Sequence, residues 1–150
     1  MGRIQPLFRA PTVSDLLAYQ DSEIHLPIRP NDFDYAGYLN NAVYVEYLEA
    51  GRVAWAELNR IDLFQTLIAP AVFRLELDYL KGIIRGQDTP AVTIRTTLAD
   101  LKPVRMLFAQ TITNAAGEIC ARASVQVVMV NLQTKKAVPV RAALERLQLP

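Results

Sequence analysis

The chain of 150 residues contains one cysteine, Cys120, and one histidine, His25. A single cysteine excludes an intrachain disulfide framework and fits a reducing compartment. Cys120 stands in a β-like run, where the expected state is a buried, inert thiol. His25 lies on the polar side of a short alternating segment with no second histidine to join it. Neither direct chemistry nor a dedicated metal site is expected there. Long apolar runs are missing too: none approaches the ~20 residues that span a bilayer. The first residues carry Arg3 and Arg9 without a long apolar core, unlike a secretory leader. Nor does one charge dominate. The net charge is +1, which leaves no basic footprint for nucleic acid and no acidic tail. Together these absences describe a cytosolic protein.

What remains is a chain with 51% hydrophobic and 21% charged residues, an ordinary globular balance and enough length for one core. Residues 1–22 form an arm, in which Thr12 or Ser14 can cap a short helix through Asp15–Tyr19 while Pro6 and Pro11 stop anything longer. A single domain is expected over 23–150. Ile24, Leu26 and Ile28 alternate with polar neighbours in a strand pattern, and Pro27 pushes that strand to a sheet edge. Further on, β-like runs cover 71–80, 91–98, 104–113 and 118–132. They are separated by a Gly-rich turn over 81–88, a break at 99–103 and a hairpin connection at Asn114–Gly117. In the last run Ala121, Ala123, Val125, Val127 and Met129 share one face. A short helix is expected from Arg141 to Leu147.

The chain is organised around residues 31–59. Tyr44, Tyr47, Leu48, Trp55 and Leu58 fall on one face of a helix predicted from about Asn41 to Asn59. Asn40 or Asn41 can cap it, since a short amide accepts from the orphan N–H groups of a first turn. Gly51 in mid-helix costs roughly 1 kcal/mol against alanine and so marks a close approach of the sheet. Glu49 and Arg52, three residues apart, are expected to be a structural pair. A few residues before the helix stands Asp34. A carboxylate near unsatisfied N–H donors supplies what acyl transfer needs, a group to attack or deprotonate and a place for an oxyanion. On the fragment Asp34-x-x-Gly37 alone, an ordinary turn acid and a positive-φ glycine are the better account of the residues.

The longer pattern is more specific. Arg29-Pro30-x-Asp32-x-Asp34-x-x-Gly37-x-x-Asn40-Asn41-x-x-Tyr44-x-x-Tyr47-x-Glu49-x-x-Arg52 resembles the signature of hotdog-fold acyl-CoA thioesterases of the 4-hydroxybenzoyl-CoA thioesterase type. The likeness is dense over 28–52 and looser to about 140. It implies an α+β hotdog fold, an antiparallel sheet of about five strands wrapped around one long helix; alternation alone allows other α+β folds. It implies hydrolysis of an acyl-CoA or acyl-carrier-protein thioester, with Asp34 as nucleophile or general base and the backbone N–H of Asn41 receiving the carbonyl oxygen. Asp34 is preferred to Asp32 because only Asp34 keeps the three-residue step to Gly37. Gly37, Tyr38, Asn40 and Tyr44 are then expected at the substrate, with Lys102 and Arg105 among the basic candidates for coenzyme A phosphates, beside Lys81, Arg85, Lys135 and Lys136. Many relatives carry histidine where this chain has Tyr38. No cofactor and no metal are implied, and relatives build each site between subunits, so a dimer or tetramer is expected. A hotdog dehydratase or hydratase, or a non-catalytic acyl-binding module, are the alternative readings.

Overall fold

The structure is a computed structural model that describes residues 15–16, 18–65, 67–86 and 90–150. The helix expected through Asp15–Tyr19, with its candidate caps Thr12 and Ser14, runs into residues outside that set.

Among the described residues, six strands and two long helices make an α+β fold. β1 (Ser22–Pro27) leads to α1 (Asn41–Leu58), followed by β2 (Ile68–Tyr79), β3 (Ala91–Leu101), β4 (Met106–Thr113), β5 (Ile119–Asn131), β6 (Ala137–Val138) and α2 (Val140–Leu147). The sheet order is β1-β3-β4-β5-β2, with β6 paired to β5, and every pairing is antiparallel. β1 lies at one edge, as Pro27 requires, because proline offers no N–H to a second neighbour. β2 is the other edge of that path.

The helix packs on one face of the sheet because both carry the matching apolar period. Ile94, Phe108, Ile112, Val125 and Val127 alternate inward along β3, β4 and β5 and meet Tyr44, Tyr47, Leu48 and Trp55 of α1. Burying an aliphatic side chain such as Leu48 is worth about 1.5–3 kcal/mol. Gly51 sits where helix and sheet come closest. A Cβ there would stand 2.7 Å from both Ile94 Cγ2 and Thr96 Oγ1 and 2.9 Å from Gln110 Nε2.

Four boundaries differ from expectation. Leu58 is 48% exposed, because the apolar stripe ends at Trp55 and Ala56, where the last turn leaves the sheet. β3 runs through Ala99 to Leu101 instead of breaking, since a bulge between Leu98 and Asp100 absorbs the irregularity. A second bulge, between Val72 and Arg74, sets Phe73 outside the register of β2. The sheet also gains a sixth, two-residue strand, β6.

Register separates the two ends of the molecule. At one end Tyr79, Ala121, Ile112 and Ile94 align across the sheet; at the other, Val72, Val127 and Met106 align, with Leu101 opposite Met106. The Tyr79 hydroxyl donates to the Asn41 carbonyl at 2.8 Å, so the helix begins at the first end.

Candidate active site

Residues 29–41 form a short, doubly braced loop. Pro30–Asp32 make one 3-10 turn, and an isolated bridge joins Phe33 to Leu39. Between them the chain reverses: Asp34 N–H donates to Tyr38 O at 2.7 Å and Gly37 N–H to Asp34 O at 3.1 Å. Gly37 has φ +84°, the left-handed region that glycine enters without strain. The Asp34 side chain closes the turn, its Oδ1 accepting from Ala36 N–H at 2.9 Å and Tyr38 N–H at 3.0 Å. Among the described residues nothing donates to Oδ2. Asp34 is half-buried, so one oxygen is anchored and the other faces outward from a fixed carboxylate. The loop after β2 braces the far side, where Leu39 N–H donates to Ile83 O and Arg85 N–H to Gly37 O, each at 2.8 Å.

The helix start follows directly. Asn40 is the cap, its Oδ1 accepting from Ala42 N–H at 3.0 Å and its own N–H donating to Asp32 O at 2.8 Å. Asn41 is the first helical residue, so its N–H belongs to the group without an intrahelical acceptor, at the positive end of the helix dipole. With Tyr79 holding its carbonyl, the Asn41 peptide is pinned on both sides.

Asp32 has a different environment from Asp34. It is 3% exposed, ion-paired to Arg29 at 2.9 Å and hydrogen-bonded by the Tyr47 hydroxyl at 2.8 Å. Burial alone pushes its carboxyl up. Bonds from the Arg29 side chain and backbone and from Tyr47 outweigh burial and hold it below the usual range. The same contact, after burial, raises the Tyr47 hydroxyl well above its ordinary value. Asp32 is therefore a satisfied anchor that ties the loop to α1, and Asp34 is the acid with a free oxygen. No local pattern in the sequence shows the Tyr47 bond, which spans fifteen residues.

The remaining expected residues divide. Tyr38 lies beside the turn, 47% exposed, with its ring stacked so closely on Gly82 that a Cβ there would stand 2.9 Å from it. Tyr44 is buried one turn into the helix, edge-on to Tyr79 with centroids 5.0 Å apart. Lys102 and Arg105 lie in the β3–β4 turn, at the opposite end of the sheet from Asn41. Lys102 pairs with Asp100 at 3.1 Å and Arg105 contacts Gln126. A single chain does not bring these two bases to the acid. Of the expected bases, Arg85 does lie beside the acid turn, bonded through its backbone to Gly37 and with its guanidinium 5.2 Å from the Phe33 ring centroid. Glu49 and Arg52 do not pair as expected; Arg52 Nη1 donates instead to Gln110 Oε1 at 3.0 Å. Gln110 in turn donates to Leu48 O and Thr96 Oγ1, which satisfies a buried amide on an otherwise apolar face. His25 is exposed and bonded to Thr93 Oγ1, and Cys120 is buried.

The family model of the thioesterase-like superfamily matches residues 28–147, which takes in the acid loop, α1 and the whole sheet beyond it. The chain belongs to this superfamily. With it come the hotdog fold and thioester hydrolysis as the class of reaction. The chain is 28% identical over 127 residues to the long-chain acyl-CoA thioesterase FadM of Escherichia coli (strain K12), covering 81% of this chain and 92% of that protein. Among solved structures it resembles the PA2801 protein of Pseudomonas aeruginosa, with a TM-score of 0.71 at 26% identity over 81% of this chain and 95% of that one. It also resembles Slr0204, a 1,4-dihydroxy-2-naphthoyl-CoA thioesterase from Synechocystis, with a TM-score of 0.72 at 17% identity over 87% and 100% of the two chains, a likeness of fold. Among the described residues no helix is long and apolar enough to cross a membrane.

Proposed function

We propose that this thioesterase hydrolyses acyl-CoA thioesters, with Asp34 as the catalytic carboxylate and the Asn41 N–H as the oxyanion donor. The observation that carries the reading is the anchored Asp34 carboxylate, held by two backbone N–H groups with its second oxygen unbonded, in the loop that opens into the capped start of α1. In this scheme the thioester carbonyl oxygen approaches Asn41 N–H. Asp34 either attacks the carbonyl carbon, giving a mixed anhydride that water then hydrolyses to the free acid, or takes a proton from the attacking water. As the carbon becomes tetrahedral, the helix end stabilises the negative oxygen, and coenzyme A leaves as the thiol. A donor of this kind is worth on the order of 100- to 1000-fold in rate.

Arg85 and Lys81, on the loop that braces the acid turn, are the bases of this chain best placed for coenzyme A phosphates, while Tyr38 supplies an aromatic wall. The likeness to FadM supports coenzyme A as the carrier and a long acyl group. A protein carrier is kept as an arm of the test.

The active species is proposed to be a dimer formed through β2. That edge strand is twelve residues long and presents Val72, Phe73 and Tyr79 to solvent, an unpaired edge of the kind that recruits a second strand. Antiparallel pairing of two β2 strands sets the Val72 end of one chain beside the Tyr79 end of the other. Lys102 and Arg105 would then lie toward the second chain's site.

Free-thiol release is measured across acyl-CoAs of increasing length, an aromatic acyl-CoA and an acyl-carrier-protein thioester. Asp34→Asn should lose at least 100-fold in kcat with an unchanged melting temperature. Near-wild-type turnover in that variant would remove Asp34 from the chemistry. Hydration of an enoyl thioester without thiol release would replace the hydrolase reading altogether.

A further inference from the structure

The four N–H groups at the start of a helix lack the usual intrahelical acceptor, and in α1 they belong to Asn40, Asn41, Ala42 and Val43. Asn40 N–H donates to Asp32 O at 2.8 Å. Ala42 N–H donates to Asn40 Oδ1 and Val43 N–H to Asn40 O, each at 3.0 Å. Among the described residues, only Asn41 N–H is left without an acceptor. It is the one donor of the first turn that is free to bond a substrate.

A free donor stabilises an oxyanion only when it is aimed. Donors in such sites stand roughly 2.7–3.1 Å from the oxygen they serve, and a misplacement of about 1 Å can cost on the order of 100-fold in rate. Two peptide planes set the aim of Asn41 N–H. The plane that carries it is held through the Asn40 carbonyl, which accepts from Val43. The plane that follows is held at both ends, by Ala42 N–H on the Asn40 side chain and by the Tyr79 hydroxyl on the Asn41 carbonyl at 2.8 Å. All of these bonds are local to the cap except the last, which spans 38 residues.

Tyr79 is mounted to hold still. It ends β2 opposite Ala121, and the next two N–H groups, of Leu80 and Lys81, both donate to Cys120 O, at 2.8 and 3.1 Å. Ala121 and Cys120 are fully buried. The Tyr79 ring meets the buried Tyr44 ring edge-on, with centroids 5.0 Å apart. Tyr44 lies three residues after Asn41, so it is a neighbour of Asn41 on the helix surface. Backbone and ring are thus fixed before the hydroxyl makes its bond. Tyr79 itself is 52% exposed, and a neutral bond at such a place adds only modestly to folding. Its larger consequence is the direction of the Asn41 peptide.

We propose that Tyr79 is a positioning residue for hydrolysis: by holding the Asn41 carbonyl, its hydroxyl keeps the Asn41 N–H aimed at the thioester oxygen. It acts through Asn41 and not on the substrate. The role rests on the reading of Asn41 as the oxyanion donor given above.

Tyr79→Phe deletes the hydroxyl and keeps the ring against Tyr44. In thiol release from acyl-CoA, kcat should fall about ten-fold with KM nearly unchanged, because the oxyanion bond reaches full strength only in the transition state. The melting temperature should move by no more than a few degrees. Both proteins are assayed where light scattering shows the same oligomeric state. Placing 4-aminophenylalanine at position 79 returns a donor and should restore most of the lost kcat. NMR relaxation gives a readout free of turnover: the order parameter of the Asn41 amide should fall from about 0.85, the rigid limit, toward about 0.6 in Tyr79→Phe. If Tyr79→Phe does not fold, 4-fluorophenylalanine at position 79, nearly the size of tyrosine but without the proton, replaces it. An unchanged kcat or an unchanged Asn41 order parameter would each overturn the proposal. So would a raised KM at constant kcat, which would make Tyr79 a substrate contact, or a loss that 4-aminophenylalanine leaves unrepaired. A wild-type protein that releases no thiol would refute the hydrolase reading and with it the catalytic sense of the proposal, while the order parameters would still decide whether Tyr79 holds Asn41.

Discussion

The Tyr47 hydroxyl donates to the Asp32 carboxylate at 2.8 Å, linking the second turn of α1 to the loop that carries Asp34. Both side chains are buried, so the bond fixes the entry of the helix and removes Asp32 from any role that needs a free oxygen. Its energetics are testable through pH. The folded carboxyl of Asp32 is held below its ordinary value. Its contribution to stability is therefore fully present above the unfolded carboxyl value, about 3.9, and is lost as pH falls through the lower folded value. Tyr47 is raised, so its contribution holds below about pH 10 and is lost as pH rises through the folded value. Tyr47→Phe should cost about 1–2 kcal/mol in urea unfolding at pH 7, and less once the pH falls through the lowered folded value of Asp32, where protonation weakens the bond in the wild type as well. A cost independent of pH would mean that the hydroxyl is held by something other than the carboxylate.

Gly51→Ala sets two effects against each other. Helix propensity favours alanine by roughly 1 kcal/mol. Against that, the new methyl would stand 2.7 Å from Ile94 and Thr96 and 2.9 Å from Gln110. All three are fully buried on the central strands β3 and β4, so none can swing away into solvent. Overpacking of this kind costs about 1–3 kcal/mol, and sterics should win, with the melting temperature falling by several degrees. A more stable Gly51→Ala protein would show that the sheet yields easily beneath the helix.

These two cases also show how far the sequence can be read. Gly51 was legible as a close approach because a glycine in a sustained helical pattern has a local cost that some contact must offset. The Asp34–Gly37 turn was legible because its hydrogen bonds close within five residues. The inward face of β5 was legible because alternation is a local property. Asp32 was not, since its partner Tyr47 lies fifteen residues away and on a different element. Gln110 looked like a polar interruption of a strand until Arg52, Thr96 and Leu48 surrounded it. Phe73 read as one member of a clean alternation, but a bulge carries no compositional mark and placed it outside the register. Lys102 and Arg105 were chosen by charge alone, and charge does not reveal which end of a sheet a turn occupies.

Tyr38 tests what surrounds the acyl group. Its ring lies on Gly82, beside the turn that Asp34 closes, and is half open to solvent. If it forms one wall for the acyl chain, each methylene buried against that wall is worth about 0.8 kcal/mol, or roughly four-fold in kcat/KM. Tyr38→Ala should flatten the dependence on chain length more than it lowers the best rate. A uniform loss across every acyl length would instead assign the tyrosine to the chemical step.

The edge at β2 gives the last test. Phe73 is the bulged residue, 50% exposed on a strand whose outer side has no neighbour among the described residues. In a dimer formed through this edge, its ring moves out of water, and full burial of a phenylalanine side chain is worth about 1.5–3 kcal/mol. Phe73→Lys forfeits that gain and places two like charges across a two-fold axis, a device by which natural sheets discourage edge pairing. Sedimentation or light scattering should show a wild-type dimer at micromolar concentration and a Phe73→Lys dissociation constant raised at least ten-fold. If the site draws on both chains, kcat/KM should fall with dilution of the variant and recover as concentration rises. A monomer that keeps full turnover at every concentration would show instead that one chain holds the complete site.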